Sequence, residues 1–312
     1  MRVKATTTIA MALMLLAGIL FGMLVQRSVG LGNIIRAVGF NYPTRTPETQ
    51  VILRSPALLP GIPQEHQGNL ALFILAGQSN MSGYAPLPGG HTGDPRAFMF
   101  GNNYRWGLAK EPVDGAEGQV DPVSYDNAGF GPSLAFALAS LELQPETPVG
   151  LIPCAKGASS IAEWQRNLSD QSLYGSCLKR ARAASPMGYL AGILFFQGEQ
   201  DGVNIYLTSN INLHPDIWSQ MFSTFVEDLR ADLGEPDLPV VYAQLGAKPE
   251  GVAFPNWDIV KQQQLAVDLP RSAMIVTDDL EYFDGLHFTV ESYREIGKRF
   301  AGAYWDLVLE GE

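Results

Sequence analysis

The sequence predicts an α/β fold: a three-layer α/β/α sandwich around a five-stranded parallel β-sheet, preceded by an N-terminal membrane segment. Three observations indicate it. The chain has 312 residues, enough for one large domain or two small ones. Short apolar runs alternate with helix-like segments along most of its length. Each run is apolar at successive positions, which is typical of strands covered by helices on both faces.

The predicted strands are short apolar runs that follow one another along the chain. They lie at 70–76 (LALFILA), 148–153, 190–196, 239–245 and 273–277. Helix-like patterns occupy 132–143, 172–184, 216–232, 257–268 and 290–309. The stretch 84–127 has no clear period, and a loop of that length in a domain is usually functional.

The N-terminal 30 residues predict a signal anchor. Arg2 and Lys4 precede an uncharged run from Ala5 to Val25, which would span roughly 30 Å as a helix, about one bilayer core. That run is longer than the apolar region of an ordinary signal peptide, and no good cleavage site follows it. We expect an exported protein that stays membrane-anchored with its main domain outside the cytoplasm; the alternative is cleavage, giving a secreted or periplasmic product.

The rest of the chain divides into a linker and one large domain. Residues 31–68 contain five prolines and little periodicity, so they predict a tether or a strap over the domain surface. The main domain is predicted at 69–312.

Composition excludes some classes of function. The formal net charge is −11 and no stripe of Lys and Arg is present, so nucleic acid is not an expected partner. Cys154 and Cys177 could pair in an oxidising compartment or remain buried thiols. The four histidines show no metal-ligand spacing, and we expect no metal or cofactor.

Polar residues follow several of the predicted strands. In an open parallel sheet, binding and catalytic sites form at the carboxyl ends of the strands, which is where these residues lie. Ser79 follows the first strand, Gln197 and Glu199 follow the third, and Asp284-x-x-His287 follows the fifth. A serine becomes a nucleophile when a histidine removes its proton, and a carboxylate three residues earlier can orient that histidine. Backbone N–H groups and a side-chain amide could stabilise an oxyanion. The G-x-S-x-G motif of α/β-hydrolases is absent around Ser79.

These residues lie within five ordered motifs that resemble a known family. The motifs are GQSNM at 77–81, GFGPSLAFA at 129–137, VGLIPCA at 149–155, FQGEQD at 196–201 and DGLHF at 284–288. In this order they resemble the SGNH (GDSL-like) hydrolases. Within that superfamily they are similar to the carbohydrate esterases that include acetylxylan esterase-like proteins and sialate O-acetylesterases. The resemblance covers residues 70–305 and implies a flavodoxin-like sheet.

The resemblance also implies a role for each site residue. Ser79 would be the nucleophile, His287 the general base and acid, and Asp284 its orienting partner, with Glu199 as the alternative acid. The oxyanion hole would comprise the backbone N–H groups of Ser79 and Gly131 and the amide of Gln197, with Gln78, Asn80 and Glu199 in support.

The resemblance and the site residues together predict a carbohydrate O-acetyl esterase that releases acetate through an acyl-enzyme, with an acetylated carbohydrate as its partner. The alternatives are a non-catalytic carbohydrate-binding protein on a hydrolase scaffold, and a lipase or thioesterase of the same superfamily. The loop 84–127 could shape the sugar groove. Candidate substrate contacts are stacking by Trp106 or Trp164 and, for an acidic sugar, a positive clamp from Lys156, Arg96 and Arg105.

Overall fold

The computed structural model describes residues 61–89, 93–126, 128–251 and 253–310. The predicted anchor at 1–30 and the strap up to residue 60 lie outside this range. The described end of the strap forms a 3₁₀ turn at Gln64–His66 and buries Ile62. Within the described ranges, no helix is long and apolar enough to cross a bilayer.

The core of the fold is a mixed sheet of seven strands in the order β3-β2-β4-β1-β5-β6-β7. All neighbouring strands run parallel except β2 and β3, which are antiparallel. The strands are β1 Leu70–Gly77, β2 Ala97–Phe100, β3 Trp106–Leu108, β4 Val149–Pro153, β5 Gly188–Phe196, β6 Val240–Ala243 and β7 Ser272–Ile275.

The five predicted strands are present as β1 and β4 to β7, but the prediction of a five-stranded, wholly parallel sheet was wrong. Strands β2 and β3 form within the stretch 84–127 and add an antiparallel edge. They have only four and three residues, too few to show an apolar period in the sequence.

Five long helices match the predicted segments, and two short ones begin directly after strands. The helices are α1 Ser79–Ser82, α2 Ser133–Leu143, α3 Leu173–Ala184, α4 Glu199–Gly202, α5 Trp218–Leu233, α6 Trp257–Leu265 and α7 Val290–Leu309. Two of the helices begin at a residue whose side chain accepts a hydrogen bond from a backbone N–H group in the first turn. Ser172 accepts from Gly175 at the start of α3, and Thr289 accepts from Ser292 at the start of α7.

Helices cover both faces of the sheet, which makes the fold a three-layer sandwich. On one face, Phe73 of β1 makes edge-on ring contacts with Phe136 of α2 and Tyr304 of α7, at 4.7 and 4.8 Å. On the opposite face, Phe195 of β5 packs at 5.0 Å against Phe222 of α5. All eight residues of β1 are buried, so the end of this strand has a fixed position in the core.

A disulfide bond and a buried arginine connect helix α3 to the loops around β4. Cys154, directly after β4, is bonded to Cys177 of α3 with their Cα atoms 5.3 Å apart, which settles the alternative left open by the sequence. Arg180 of α3 is buried and donates to Asn102 and to the carbonyl of Pro153. These contacts hold part of the stretch 84–127 against the sheet.

Candidate active site

The candidate nucleophile lies where β1 ends and α1 begins. Gly77 has φ +132°, a backbone conformation that residues with a side chain rarely adopt, and a Cβ atom there would overlap the backbone of Phe196. This glycine therefore allows β1 and β5 to approach while the chain turns into α1. Ser79 is the first residue of α1 and is 6% exposed.

Ser79, His287 and Asp284 form one chain of hydrogen bonds. His287 Nε2 lies 3.0 Å from Ser79 Oγ, and His287 Nδ1 lies 2.7 Å from Asp284 Oδ2. Both distances are within reach of a hydrogen bond in a nucleophile–base pair. Residues 208 positions apart in sequence thus meet in the arrangement of a catalytic triad.

The loop 284–288 fixes the orientation of Asp284. Its Oδ1 accepts from the backbone N–H groups of Leu286 and His287 at 3.0 and 2.7 Å. Burial acts to raise the pKa of Asp284, but the hydrogen bond from His287, its charge and the two N–H groups together hold the pKa below the ordinary value. Asp284 is therefore favoured as a carboxylate that can stabilise an imidazolium.

Tyr84 covers the histidine and was not predicted from the sequence. Its ring stacks on that of His287 with centroids 4.1 Å apart and an interplanar angle of 24°. Tyr84 belongs to the stretch 84–127, which has no period, so no sequence pattern identified it.

Asn80 braces α1 against three other elements. Its Nδ2 donates to Glu199 Oε1 of α4 at 2.5 Å and to the carbonyl of Leu286 at 3.3 Å, while its Oδ1 accepts from Tyr293 of α7 at 2.7 Å. Glu199 is fully buried, and its Oε2 has no hydrogen-bond partner among the described residues. Burial raises the pKa of Glu199. The Nδ1 atom of His287 is hydrogen-bonded to Asp284, whereas Glu199 is hydrogen-bonded to Asn80 of α1.

The structure corrects the role predicted for Gln197. This side chain is buried, and its Nε2 donates to the carbonyl of Ser159 at 2.9 Å and to Asp201 at 2.7 Å. Its Oε1 accepts from Trp218 at 2.8 Å. Because both hydrogens of the amide are engaged, Gln197 has none left for an oxyanion.

Gln78 is fixed through the oxygen end of its amide. Its Oε1 lies 3.3 Å from Gln197 Nε2 and accepts from the N–H groups of Gly198 and Gln200 at 3.4 and 3.1 Å. None of the hydrogen bonds of the described residues uses Gln78 Nε2. The N–H of Ser79, first in α1, has no acceptor within its helix. The N–H of Ser79 and the Nε2 of Gln78 are thus both unused by the hydrogen bonds of the described residues.

Gly131 packs closely against the end of α1. A Cβ atom there would lie 2.8 Å from Gly83 Cα, so only glycine fits. Its N–H faces the carboxyl group of Glu111, whose Oε1 is buried without a hydrogen-bond partner among the described residues. Burial raises the pKa of Glu111 to about 8. The oxyanion role of Gly131 stays a prediction.

The structure does not bring the two predicted tryptophans to the site. Trp164 is completely buried, and its Nε1 donates to Ser159 Oγ at 3.0 Å, so its predicted stacking on a sugar was wrong. Trp106 lies on β3, the outermost strand, and packs on Phe100 at 5.3 Å. Among the described residues, no cluster of His, Cys, Asp and Glu could hold a metal ion.

The predicted positive clamp is reduced to Lys156. Its backbone N–H donates to the carbonyl of Gly77 at 2.9 Å, which places it beside the end of β1, and its Nζ donates to the carbonyl of Tyr125 at 2.7 Å. Arg96 precedes β2, at the opposite end of the sheet, and is paired with Asp94 at 2.7 Å. Arg105 precedes β3, the outermost strand, which β2 and β4 separate from β1 and Ser79.

Comparison with known proteins identifies the family of the chain. The sequence model of the family SASA, "carbohydrate esterase, sialic acid-specific acetylesterase", matches residues 69–306. The chain belongs to this family of carbohydrate esterases. A probable carbohydrate esterase of Arabidopsis thaliana is 29% identical over 252 residues, which are 75% of this chain and 89% of that protein.

Two solved structures have folds similar to that of this chain. The crystal structure of the Arabidopsis protein superposes with a TM-score of 0.65 and 27% identity over 77% of this chain and 99% of that one. A carbohydrate acetylesterase from Xanthomonas citri superposes with a TM-score of 0.54 and 19% identity over 78% of this chain and 57% of that one. The family assigned from the sequence motifs is confirmed.

Proposed function

We propose that the chain is a carbohydrate O-acetyl esterase with a serine mechanism. His287 removes the proton of Ser79, and Ser79 Oγ attacks the acetyl carbonyl. The tetrahedral intermediate collapses to an acetyl-enzyme, and the sugar hydroxyl leaves with the proton from His287. Water activated by His287 then releases acetate. The continuous contacts from Ser79 Oγ through His287 to Asp284 carry this proposal.

The oxyanion would be stabilised by donors fixed before substrate arrives. The candidate donors are the N–H of Ser79 and the Nε2 of the preceding residue, Gln78, and neither has a partner among the hydrogen bonds of the described residues. The N–H groups of Gly198 and Gln200, which donate to Gln78 Oε1, hold the amide of Gln78 in a fixed position. Pre-oriented donors need no reorganisation during the reaction, and each typically contributes 10²-fold to 10³-fold to kcat. Gly131 remains a third candidate.

The acetylated sugar is proposed from the family description and the site chemistry. The family comprises carbohydrate esterases described as sialic acid-specific acetylesterases, and the similar Xanthomonas citri protein is a carbohydrate acetylesterase. An acetyl group needs only a small pocket, which suits a nucleophile that is 6% exposed.

We also propose that the enzyme works outside the cytoplasm. The disulfide between Cys154 and Cys177 supports an oxidising compartment, and the apolar segment from Ala5 to Val25 supports export. Retention of that segment would tether the enzyme to a membrane.

Acetate release from acetylated xylan, O-acetyl sialate, peracetylated sugars and 4-nitrophenyl acetate tests the proposal. Ser79→Ala is expected to abolish release from every substrate while melting at the wild-type temperature. Ser140→Ala is the matched control, because Ser140 is a buried serine of α2 whose Oγ lacks a partner among the described residues. Acetate release at the wild-type rate by Ser79→Ala would refute the serine mechanism. A preference for long acyl chains would favour a lipase or thioesterase.

A further inference from the structure

The loop of residues 203–217, called the 203–217 loop below, exposes several large apolar side chains to solvent. Tyr206 is 91% exposed and Ile211 is 76% exposed, and Ile205 and Ile217 are also exposed. Single exposed apolar residues are common, but four in one short loop mark an interaction surface.

Hydrogen bonds to several elements hold this loop in place. At its start, Asn204 donates its N–H to the carbonyl of Ala253 at 2.7 Å and accepts from the N–H of Tyr206 at 3.0 Å. In its middle, Asn210 Nδ2 donates to Glu163 at 2.7 Å. Near its end, the N–H of His214 donates to Asp201 at 3.2 Å. These hydrogen bonds therefore fix the backbone of the loop that carries Tyr206.

The 203–217 loop lies at the same edge of the sheet as Ser79. It leaves α4, which follows β5, and a short path of contacts joins it to the nucleophile. Thr208 Oγ1 accepts from Gln200 Nε2 at 2.9 Å, and the N–H of Gln200 donates to Gln78 Oε1 at 3.1 Å. Gln78 adjoins Ser79 in the chain. Tyr206 is two residues from Thr208 and therefore close in the chain to the start of this path.

We propose that the 203–217 loop binds additional sugar rings of an uncharged, acetylated polysaccharide, with Tyr206 as the stacking platform. This inference rests on the proposed function, because the sugar that bears the acetyl group must occupy the site at Ser79. The apolar face of a pyranose ring packs on an aromatic ring, and amide side chains suit hydroxyl groups.

The composition of the loop favours a neutral sugar chain over a lipid surface. It contains no Lys or Arg, whereas loops that bind anionic lipid usually carry basic residues. It does contain three asparagines at 204, 210 and 212 together with Thr208 and Ser209. Tyrosine with asparagine and serine is a combination that supplies rigid contact area and adaptable hydrogen bonding.

Tyr206→Ala tests the inference, with Tyr189→Ala as the matched control. Tyr189 is 55% exposed at the start of β5, the end of the sheet opposite Ser79. We expect Tyr206→Ala to lower kcat/KM for acetylated xylan about threefold to tenfold, mainly through KM, the effect of one aromatic contact. Its hydrolysis of 4-nitrophenyl acetate should equal that of the wild type. Tyr189→Ala should change neither.

Separate results would overturn the inference and the proposed function. Wild-type protein should show a higher kcat/KM per acetyl group on acetylated xylan than on peracetylated xylose. Equal values, or an unchanged Tyr206→Ala variant, would overturn the polysaccharide site and leave the esterase intact. Loss of vesicle sedimentation by Tyr206→Ala, with polymer hydrolysis unchanged, would assign the loop to a phosphatidylcholine surface instead. Absence of wild-type activity on every acetate ester would refute the proposed function itself.

Discussion

Two substitutions distinguish Asp284, the acid that we propose orients His287, from Glu199, the acid that is hydrogen-bonded to Asn80 of α1. Asp284→Asn changes the group that accepts from His287 Nδ1 at 2.7 Å and from two backbone N–H groups. Glu199→Gln keeps the oxygen that accepts from Asn80 at 2.5 Å and alters only the Oε2 end, which has no hydrogen-bond partner among the described residues. We therefore expect opposite outcomes.

The expected magnitudes follow from these contacts. An asparagine at 284 can donate to Nδ1, which stabilises the wrong tautomer of His287, and the comparable change in a serine protease lowers kcat about 10⁴-fold. This corresponds to about 5 kcal/mol of transition-state stabilisation. Burial raises the pKa of Glu199 and favours its neutral form, which glutamine imitates. Glu199→Gln should thus change kcat less than about threefold, since most substitutions without a lost contact have small effects.

The assay is kcat and kcat/KM for 4-nitrophenyl acetate from pH 5 to pH 9, with a thermal melt of each variant. Glu199→Ala provides the control, because it removes the brace on Asn80 and should cost about 1–3 kcal/mol of stability. The reasoning would be refuted if Glu199→Gln lost as much kcat as Asp284→Asn while melting at the wild-type temperature. That result would show that the negative charge of Glu199 is needed for catalysis.

Three further outcomes are expected. Gln78→Ala should lower kcat on 4-nitrophenyl acetate about 10²-fold to 10³-fold with little change in KM, and a loss confined to KM would exclude an oxyanion role. The double substitution of Cys154 and Cys177 by alanine should lower the free energy of unfolding in urea by about 3 kcal/mol, because the bond closes a loop with a sequence separation of 23; a decrease below about 1 kcal/mol would contradict this. Burial raises the pKa of Glu111 from 4.5 to about 8, so the folded protein retains a proton that the unfolded chain releases, and stability falls as pH rises through this window. Glu111→Gln should remove up to about 1.4 kcal/mol per pH unit of that slope, and identical slopes would count against it.

The sequence predicted the central part of the sheet well and its edge poorly. Residues 70–76 and 190–196 are continuous apolar runs between turn residues, and both became strands because the helices on each face bury them. Strands β2 and β3 pair with each other through few residues beside a long loop. Pairing with β4 stabilises β2, and such a tertiary contact has no signature in the local sequence.

The candidate triad was predictable because strand ends gather at one edge of a parallel sheet. Ser79, Asp284 and His287 follow directly from that geometry. The roles of Gln78 and Gln197 could not be predicted in this way. A sequence shows that an amide side chain is present but not which neighbouring groups accept hydrogen bonds from it. Gln197 donates to Ser159 and Asp201, which leaves Gln78 as the amide that we propose for the oxyanion.

The exposure of aromatic residues was the least predictable property. Trp164 was one of two candidates for stacking on a sugar, but it is buried in the core next to Phe195, with ring centroids 6.0 Å apart. Tyr206 is almost fully exposed and lies in a stretch without a strand or helix pattern. Large aromatic side chains can stabilise a core or a binding surface, and only the tertiary structure distinguishes the two.

Trapping of the acyl-enzyme tests the central claim most directly. The protein would be mixed with excess 4-nitrophenyl acetate, quenched in acid within the first turnover and digested for peptide mass spectrometry. We predict a single acetyl group on the peptide that contains Ser79, and none at this position in Ser79→Ala. Acetate release without an adduct on Ser79, or with the acetyl group on another residue, would contradict the mechanism.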